Sequence, residues 1–361
     1  MAGMTVGFAT AEPLVDAEFN SSSLDWQTWC PCQINMERAP VQFLQDKDDQ
    51  FLRISVYQWQ AGGNRCRFYR PYFECRPPDG TVSPARQAVI HAQAAADVPD
   101  QVEPLGPSLI GLSRGRPDLD VMSDSYCDGQ TVLKAHRAHE EDRCIQRQEL
   151  RFQNDKRHGF LEPYVYSIRF RMPPVIEDRT GSIRWVIGQW KQTTIDKEKY
   201  IDLGEEWGPS PYLAQRFDNS VLHITVQDGH CRCSVASAPH PDGFNPEWKD
   251  GRATYCRSSN PFENGRTCTP DLFVKYGSDP VLTSPLGKWV ELRYEVQAGP
   301  EGKINIYEGD RHIVEVTGNI GYQPAPNEKT LTKFKIGHYR DFMPFDDYMD
   351  VDWVKVEPLS Q

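Results

Sequence analysis

"KWVELRYEVQAGPEGKINIYEGDRHIVEV" (residues 288–316) is the stretch that decides the predicted fold. Apolar and polar residues alternate along it, which is typical of strands with one buried face. Turn residues interrupt the alternation at 298–300 and at 308–310, and the second turn makes "INIYEGDRHIVEV" a predicted hairpin. We therefore expect three consecutive antiparallel strands in this one stretch.

Strands of the same kind are predicted along much of the chain, whereas helical patterns are few. The segments that alternate or are rich in β-branched residues are 51–58, 164–172, 182–191, 220–227, 331–340 and 348–357. Many antiparallel strands separated by turns favour a sandwich or jelly roll. We expect one domain over residues 1–361, with a loop-rich insertion at about 76–130 and an irregular segment at about 237–270.

Composition narrows the class of protein. The net charge of −11 argues against general nucleic-acid binding, although an acidic protein can still carry a locally basic cleft. No apolar stretch approaches the roughly 20 residues that a membrane helix needs. The ten cysteines lack the C-x2-C pairs typical of zinc sites, so we expect disulfides, an oxidising compartment and a secreted or periplasmic protein. Their connectivity cannot be read from sequence.

Two strand-like segments carry polar residues on one face. In "QRQELR" (146–151), Arg147, Glu149 and Arg151 share a face, either as a surface ladder of compensating charges or as the basic wall of a cleft. In "RWVIGQWKQ" (184–192), the face that includes Trp185 continues through residues 187 and 189 to Lys191. A solvated face would explain this second pattern equally well.

A third segment, "KFKIGHYRD" (333–341), places Lys335 and Tyr339 on one face with Gly337 between them. A glycine inside a strand can mark the close approach of a ligand. Nearby positive charge favours the phenolate form of a tyrosine, which gives Tyr339 a physical rationale as an acid or base. An ordinary exposed tyrosine is the alternative.

The three segments taken in order resemble motifs of the alginate lyases. The segments around them resemble the heparin lyase-like polysaccharide lyase family, in "IGQWK" (187–191), "SPYLAQRFDNSVLHITV" (210–226), "LGKWVELRYEVQAGPEGKINIYEGDRHIVEV" (286–316) and "DDYMDVDWVKVE" (346–357). The resemblance covers roughly residues 144–358. It implies an all-β jelly roll, a concanavalin-like sandwich of two antiparallel sheets with long loops.

The resemblance also implies an enzyme, a polysaccharide lyase. Such enzymes cleave a uronic-acid polymer by β-elimination, removing the C5 proton and leaving an unsaturated sugar. Arg147 and Gln189 match the positions that bind the substrate carboxylate, and Tyr339 matches the residue that donates to the leaving oxygen and in some members also abstracts the proton. The expected substrate-binding residues are Arg151, Lys335, Glu149, Gln215 and Arg340.

The chain departs from many relatives at Lys191, where they have histidine. A lysine is normally charged, so we expect Lys191 to stabilise the carboxylate or the enolate rather than act as the base. The base is then Tyr339 itself or His223, whose neighbours in "VLHITVQ" alternate so as to turn it away from the core. A hydrogen-bonded structural histidine remains the alternative for His223.

Other expectations concern cofactors, partners and competing functions. No cofactor is expected to be required, and the acidic cluster at 346–352 is a candidate for a structural calcium ion or a solvated loop. The expected partner is an anionic uronic-acid polysaccharide, with no nucleic acid or membrane, and the protein is expected to be a monomer. A glycoside hydrolase, which needs two carboxylates flanking the scissile bond, and a non-catalytic acidic-glycan-binding protein are the alternatives.

Overall fold

The computed structural model describes residues 13–19, 25, 28–31, 41–46, 49–56, 145–152, 154–174, 185–194, 211–217, 221–239, 248–258, 267–322, 330–341 and 347–360. The predicted insertion at about 76–130 lies outside these residues. Within them, the only helical element is a 3₁₀ turn at Asn154–Lys156, and everything else is strand or connection.

The described strands are numbered in chain order. They are β1 (Val15–Glu18), β2 (Trp29–Pro31), β3 (Val41–Asp46), β4 (Asp49–Val56), β5 (Ile145–Phe152), β6 (His158–Gly159), β7 (Tyr164–Arg171), β8 (Trp185–Thr194), β9 (Leu213–Arg216), β10 (His223–Gln227), β11 (Cys231–Ser237), β12 (Gly251–Arg252), β13 (Cys256–Ser258), β14 (Leu272–Tyr276), β15 (Val290–Gln297), β16 (Gly299–Glu308), β17 (Arg311–Ile320), β18 (Thr330–Asp341) and β19 (Asp347–Pro358).

Residues 288–316 form the predicted strands and hairpin, which lie in the middle of the first sheet. β15, β16 and the first part of β17 come from this stretch and pair in sequence order. Along β15 the buried residues alternate with exposed or half-buried ones, which is the period of a strand with one face in the core. Gly309 closes the hairpin between β16 and β17 with a φ of 55°, a left-handed conformation that suits glycine.

Two antiparallel sheets make up the described fold. The first sheet has the order β12-β14-β17-β16-β15-β7-β19-β4-β3, with β1 also pairing with β19. The second has the order β13-β11-β10-β9-β8-β18-β5-β2, with β6 also pairing with β18. Because sequentially distant strands are neighbours in both sheets, the architecture is a jelly-roll sandwich, and the all-β prediction is confirmed.

Aromatic side chains fill the core between the two sheets. Trp190 of the second sheet has its ring centroid 4.8 Å from that of Tyr294 and 5.4 Å from that of Tyr166, both in the first sheet. Within the second sheet, the ring centroid of Phe334 in β18 lies 4.9 Å from that of Trp190. These contacts fix which face of β18 and β8 is buried, and therefore which residues point the other way.

Two disulfides fasten the irregular segment to the edge of the second sheet. Cys231 is bonded to Cys268, and Cys233 is bonded to Cys256. The described parts of the segment at about 237–270 contain only the short strands β12 and β13. Disulfides are typical of proteins from an oxidising compartment. In the described ranges, no helix is long and apolar enough to span a membrane.

Candidate active site

Polar side chains line the face of the second sheet that points away from the first sheet. In β18, Phe334 and Ile336 belong to the core, so Lys335 and Tyr339 point outward by alternation. Lys335 lies opposite both Arg151 of β5 and Gln189 of β8. We call this surface the site face. Its described polar members on β5, β8, β9, β10 and β18 include Glu149, Arg151, Gln189, Lys191, Arg216, His223, Thr225, Lys333, Lys335 and Tyr339.

Glu149 is the centre of a buried cluster on the site face. Its Oε1 accepts a hydrogen bond from Nε2 of Gln189, and its Oε2 lies 3.4 Å from Nζ of Lys335. Glu149, Gln189 and Lys335 are only 1%, 3% and 5% exposed. A solvated ladder of surface charges therefore does not describe these residues. Glu149 instead holds an amide and an ammonium group in fixed positions on a largely enclosed surface.

Tyr339 belongs to a second row of residues across the same face. It lies opposite Arg147 of β5 and Val186 of β8. Val186 in turn lies opposite Arg216, which lies opposite His223. The backbone thus places Arg147 next to Tyr339, although the Arg147 side chain is outside the described residues. The row brings three of the predicted catalytic residues onto one line of the sheet.

A register shift decides which β8 side chains reach the site face. The pairing of β8 with β9 shifts between Val186 and Gly188, and that of β8 with β18 shifts at the same level. Beyond the shift, Trp185 points into the core and donates from Nε1 to Nδ1 of His338 at 3.0 Å. The expectation that Trp185 shares a face with Gln189 is therefore wrong, because a bulge interrupts simple alternation.

Lys191 and Lys333 form a basic pair on the site face. They lie directly opposite each other on β8 and β18, and both are half-buried. This arrangement brings two cationic side chains to neighbouring positions on the site face. Together with Arg151 and Lys335 it makes the site face locally basic, although the chain as a whole carries a net charge of −11.

Gln215 and Arg340 do not lie on the site face. Gln215 points into the core, where its Nε2 donates to the hydroxyl of Tyr294 in the first sheet at 2.9 Å. Arg340 is fully buried, and its Nη1 lies 3.4 Å from Oδ2 of Asp347 in β19. The expectation that these two residues bind substrate is corrected. Alternation turns both toward the first sheet, where they link the two layers.

Gly337 has a reason within the sheet to be glycine. Its φ is 127°, a conformation that other residues rarely adopt. A Cβ atom at this position would also lie 2.8 Å from Cα of Glu149 in the neighbouring strand. The neighbour that comes close to Gly337 is therefore the backbone of β5, and this contact accounts for the glycine without a ligand.

Arg216 is a member of the site face that no sequence pattern indicates. It is 5% exposed, and its Nε donates to Oγ1 of Thr225 at 3.3 Å. In sequence it stands beside Gln215, and β9 is only four residues long, too short for its period to be evident. The opposite orientations of Gln215 and Arg216 follow from the buried position of Leu213, which sets the alternation.

The acidic cluster at 346–352 is paired with arginines where the structure describes it. Asp350 accepts hydrogen bonds from Nε of Arg53 at 2.7 Å and from Nε of Arg171 at 2.8 Å. Asp352 contacts Arg169, and residue 346 lies outside the described part. Among the described residues, no group of three or more His, Cys, Asp or Glu side chains is placed to hold a metal ion. The calcium ion stays a prediction.

His158 is a buried histidine that lies away from the site face. Its Nε2 is hydrogen-bonded to the hydroxyl of Tyr166, and its ring stacks on that of Tyr164 at 3.8 Å. Burial lowers the pKa of His158 to about 4, against the opposing effects of the Gly159 carbonyl and the Glu162 carboxylate. The ring is thus neutral near pH 7 and ties β6 to the first sheet.

Comparison with known proteins gives similarity of fold. No family model and no curated protein sequence matches the chain. An endo-β-1,4-glucuronan lyase from the fungus Trichoderma reesei is 13% identical, with 59% of this chain and 82% of that chain covered and a TM-score of 0.35. Alginate lyase A1-II′, a member of polysaccharide lyase family 7, is 12% identical, with 60% and 72% covered and a TM-score of 0.33. Alginate lyase AlyC3 is 15% identical, with 59% and 71% covered and a TM-score of 0.34. The similarity thus includes polysaccharide lyases, while membership of the heparin lyase-like family stays a prediction.

Proposed function

We propose that the protein is a polysaccharide lyase that cleaves a uronic-acid polymer by β-elimination. The observation that carries the proposal is the site face itself. It combines an amide held by a buried carboxylate, several cationic side chains and a tyrosine, on an otherwise acidic protein. This set fits the capture of an anionic sugar and the transfer of a proton beside it.

The main electrostatic task of the reaction is to neutralise the sugar carboxylate. The C5 proton is weakly acidic while the neighbouring carboxylate is ionised. Removal of the C5 proton adds further negative charge, which the carboxylate carries as an enolate. Gln189 has two amide N–H groups, and Glu149 accepts from this amide and so fixes its orientation. We assign Gln189, Lys191 and Arg147 to the carboxylate and the enolate, and Lys335 to the positioning of the sugar.

Tyr339 is assigned to the proton transfers. His223 lies in the same row, but three strand steps away from β18, which separates the two backbones by about 14 Å at the usual strand spacing. At that separation the two side chains face different sugar residues of a bound polymer. We therefore assign both proton abstraction and donation to the leaving oxygen to Tyr339, and assign His223 to binding.

A glycoside hydrolase is less well supported. Hydrolysis requires two carboxyl groups about 5–10 Å apart, one as acid and one as base or nucleophile. Among the side chains of the site face that the structure describes, Glu149 supplies the carboxylate, and it is buried and bonded to Gln189 and Lys335. The side chain of Asp341, at the end of β18, lies outside the described part. A carboxylate held in this way is poorly placed to attack a sugar or to donate a proton.

The test is a panel of polymers that includes polyglucuronate, alginate and heparin, followed at the ultraviolet absorbance of the unsaturated product. We expect absorbance to rise on at least one of them. Tyr339→Phe should abolish the rise and leave polymer binding within about twofold of the wild type. Tyr307→Phe, which changes a half-buried tyrosine on the opposite sheet, is the control and should leave activity unchanged.

Two results would contradict the proposal. New reducing ends without the chromophore would indicate a hydrolase, and saturable binding without any product would indicate a glycan-binding protein. Full activity in Tyr339→Phe would show that another residue transfers the proton.

A further inference from the structure

A second pair of basic residues lies at the far edge of the second sheet. Arg232 of β11 is directly opposite Arg257 of β13. The cysteines that flank them, Cys231, Cys233 and Cys256, belong to the core, so alternation directs both arginines to the same side as the site face. Arg257 is exposed and Arg232 is partly exposed. We call these two residues the edge pair.

The edge pair stands on a covalently fixed support. Arg232 lies between Cys231 and Cys233, which are bonded to Cys268 and Cys256. Arg257 directly follows Cys256, so a disulfide also joins the two strands beside the pair. Little backbone freedom remains to be lost when a ligand binds, and such preorganisation favours affinity.

The edge pair is aligned with the basic pair of Lys191 and Lys333. One row of directly opposed residues crosses four neighbouring strands, from β8 through β9 and β10 to β11. Its members are Trp190, Leu213, Val226 and Cys233. Lys191 follows Trp190 and Arg232 precedes Cys233, and because β8 and β11 run in opposite directions, both lie in the next row toward the same end of the sheet. Three strand steps separate them, or about 14 Å. Two pairs of like charges thus lie on one line that crosses the strands.

We propose that Arg232 and Arg257 form a distal subsite for an acidic group of the same polysaccharide chain that lies across the site face. Guanidinium groups bind carboxylate or sulfate through paired hydrogen bonds, and two arginines directly opposite one another present such donors to one anion. A polymer with acidic groups at regular intervals reaches both basic pairs, whereas a short oligomer at Tyr339 does not. The proposal rests on the proposed function for the identity of the ligand.

The experiment compares Arg232→Gln/Arg257→Gln with a control that loses the same charge. The control is Arg293→Gln/Lys303→Gln, which changes two side chains on the outer face of the first sheet. Affinity for long polyglucuronate, for its trimer and for heparin is measured by calorimetry at low salt. We expect the edge variant to bind the long polymers about tenfold more weakly, which is about 1.4 kcal/mol, with trimer affinity unchanged. The larger loss identifies the preferred group, carboxylate for polyglucuronate or sulfate for heparin.

The outcomes separate this proposal from the proposed function. An equal loss for trimer and polymer, or a polymer loss no larger than in the control, would overturn the distal subsite. Single-stranded DNA that binds through the edge pair more tightly than either polysaccharide would also overturn it. Polymer binding that depends on the edge pair, without any unsaturated product, would support the subsite and contradict the lyase assignment. Formation of the unsaturated product, together with polymer binding that does not depend on the edge pair, would support the lyase assignment and contradict the subsite.

Discussion

The contact between Glu149 and Lys335 makes the stability of the protein depend on one negative charge. The two side chains are 1% and 6% exposed, and Oε2 of Glu149 lies 3.4 Å from Nζ of Lys335. Glu149→Gln keeps the size of the side chain and removes its charge. The Lys335 ammonium group is then left in a site from which water is largely excluded.

The expected cost follows from the geometry. Unit charges 3.4 Å apart attract by about 5 kcal/mol at an effective dielectric constant of about 20. Removing one partner of a buried pair costs about 3–5 kcal/mol in general. We therefore expect Glu149→Gln to lower the free energy of unfolding by about 3–5 kcal/mol.

The matched control is Glu357→Gln. Glu357 pairs with Lys355 at the shorter distance of 2.9 Å, but the two side chains are 36% and 41% exposed. Water screens such a pair, so the control should lose only about 0–1 kcal/mol. The comparison separates the effect of burial from that of contact distance.

The assay is urea unfolding followed by tryptophan fluorescence, with the slope of the transition as a check that the unfolded state is unchanged. In Glu149→Gln/Lys335→Met neither charge remains, so the double variant should be more stable than Glu149→Gln. A loss in Glu149→Gln no larger than in the control would refute the reasoning, as would losses that simply add in the double variant.

Two further predictions concern the backbone and pH. Gly337→Ala should lower the free energy of unfolding by about 1–3 kcal/mol or more, because φ is 127° and the backbone of β5 must move to make room for a Cβ atom. The control is Gly229→Ala, where a Cβ atom meets nothing within 4 Å, and it should cost less. Equal losses for the two variants in urea unfolding would contradict this prediction. His158 has a pKa of about 4 when folded and about 6.5 when unfolded, so the unfolded chain takes up its proton first as pH falls. Stability should therefore drop by up to about 3 kcal/mol between pH 6.5 and 4, with no further loss from this group below pH 4. His158→Gln should flatten the profile of unfolding free energy against pH in that window, and an unchanged slope would contradict the assignment.

Local patterning was sufficient for most of the fold. The alternation in residues 288–316 predicted β15, β16 and β17, and the segment 331–340 predicted β18 nearly to its ends. Strand identity is accessible in this way because burial of one face imposes a period of two on the sequence itself. The polar face of β18, with Lys335 and Tyr339, follows from the same period.

The orientation of particular side chains was less accessible. Simple alternation predicts the wrong face for Trp185, because the register shift at residues 186–188 depends on the partner strands. The sequence resemblance suggests a substrate-binding role for Gln215 and Arg340, whereas in the structure they bond across the core to Tyr294 and Asp347. These contacts join segments that lie far apart in the chain, so no local pattern indicates them.

The sequence by itself determined the strands, the acidic balance of the chain and the polar face that carries Tyr339. The tertiary structure decided which strands became neighbours, and with them the chemistry of the site. Glu149 and Lys335 are 186 residues apart in the chain and meet only because β5 pairs with β18. The physical reason is that alternation fixes a side chain's face, whereas its neighbours on that face depend on strand order and register across the whole sheet.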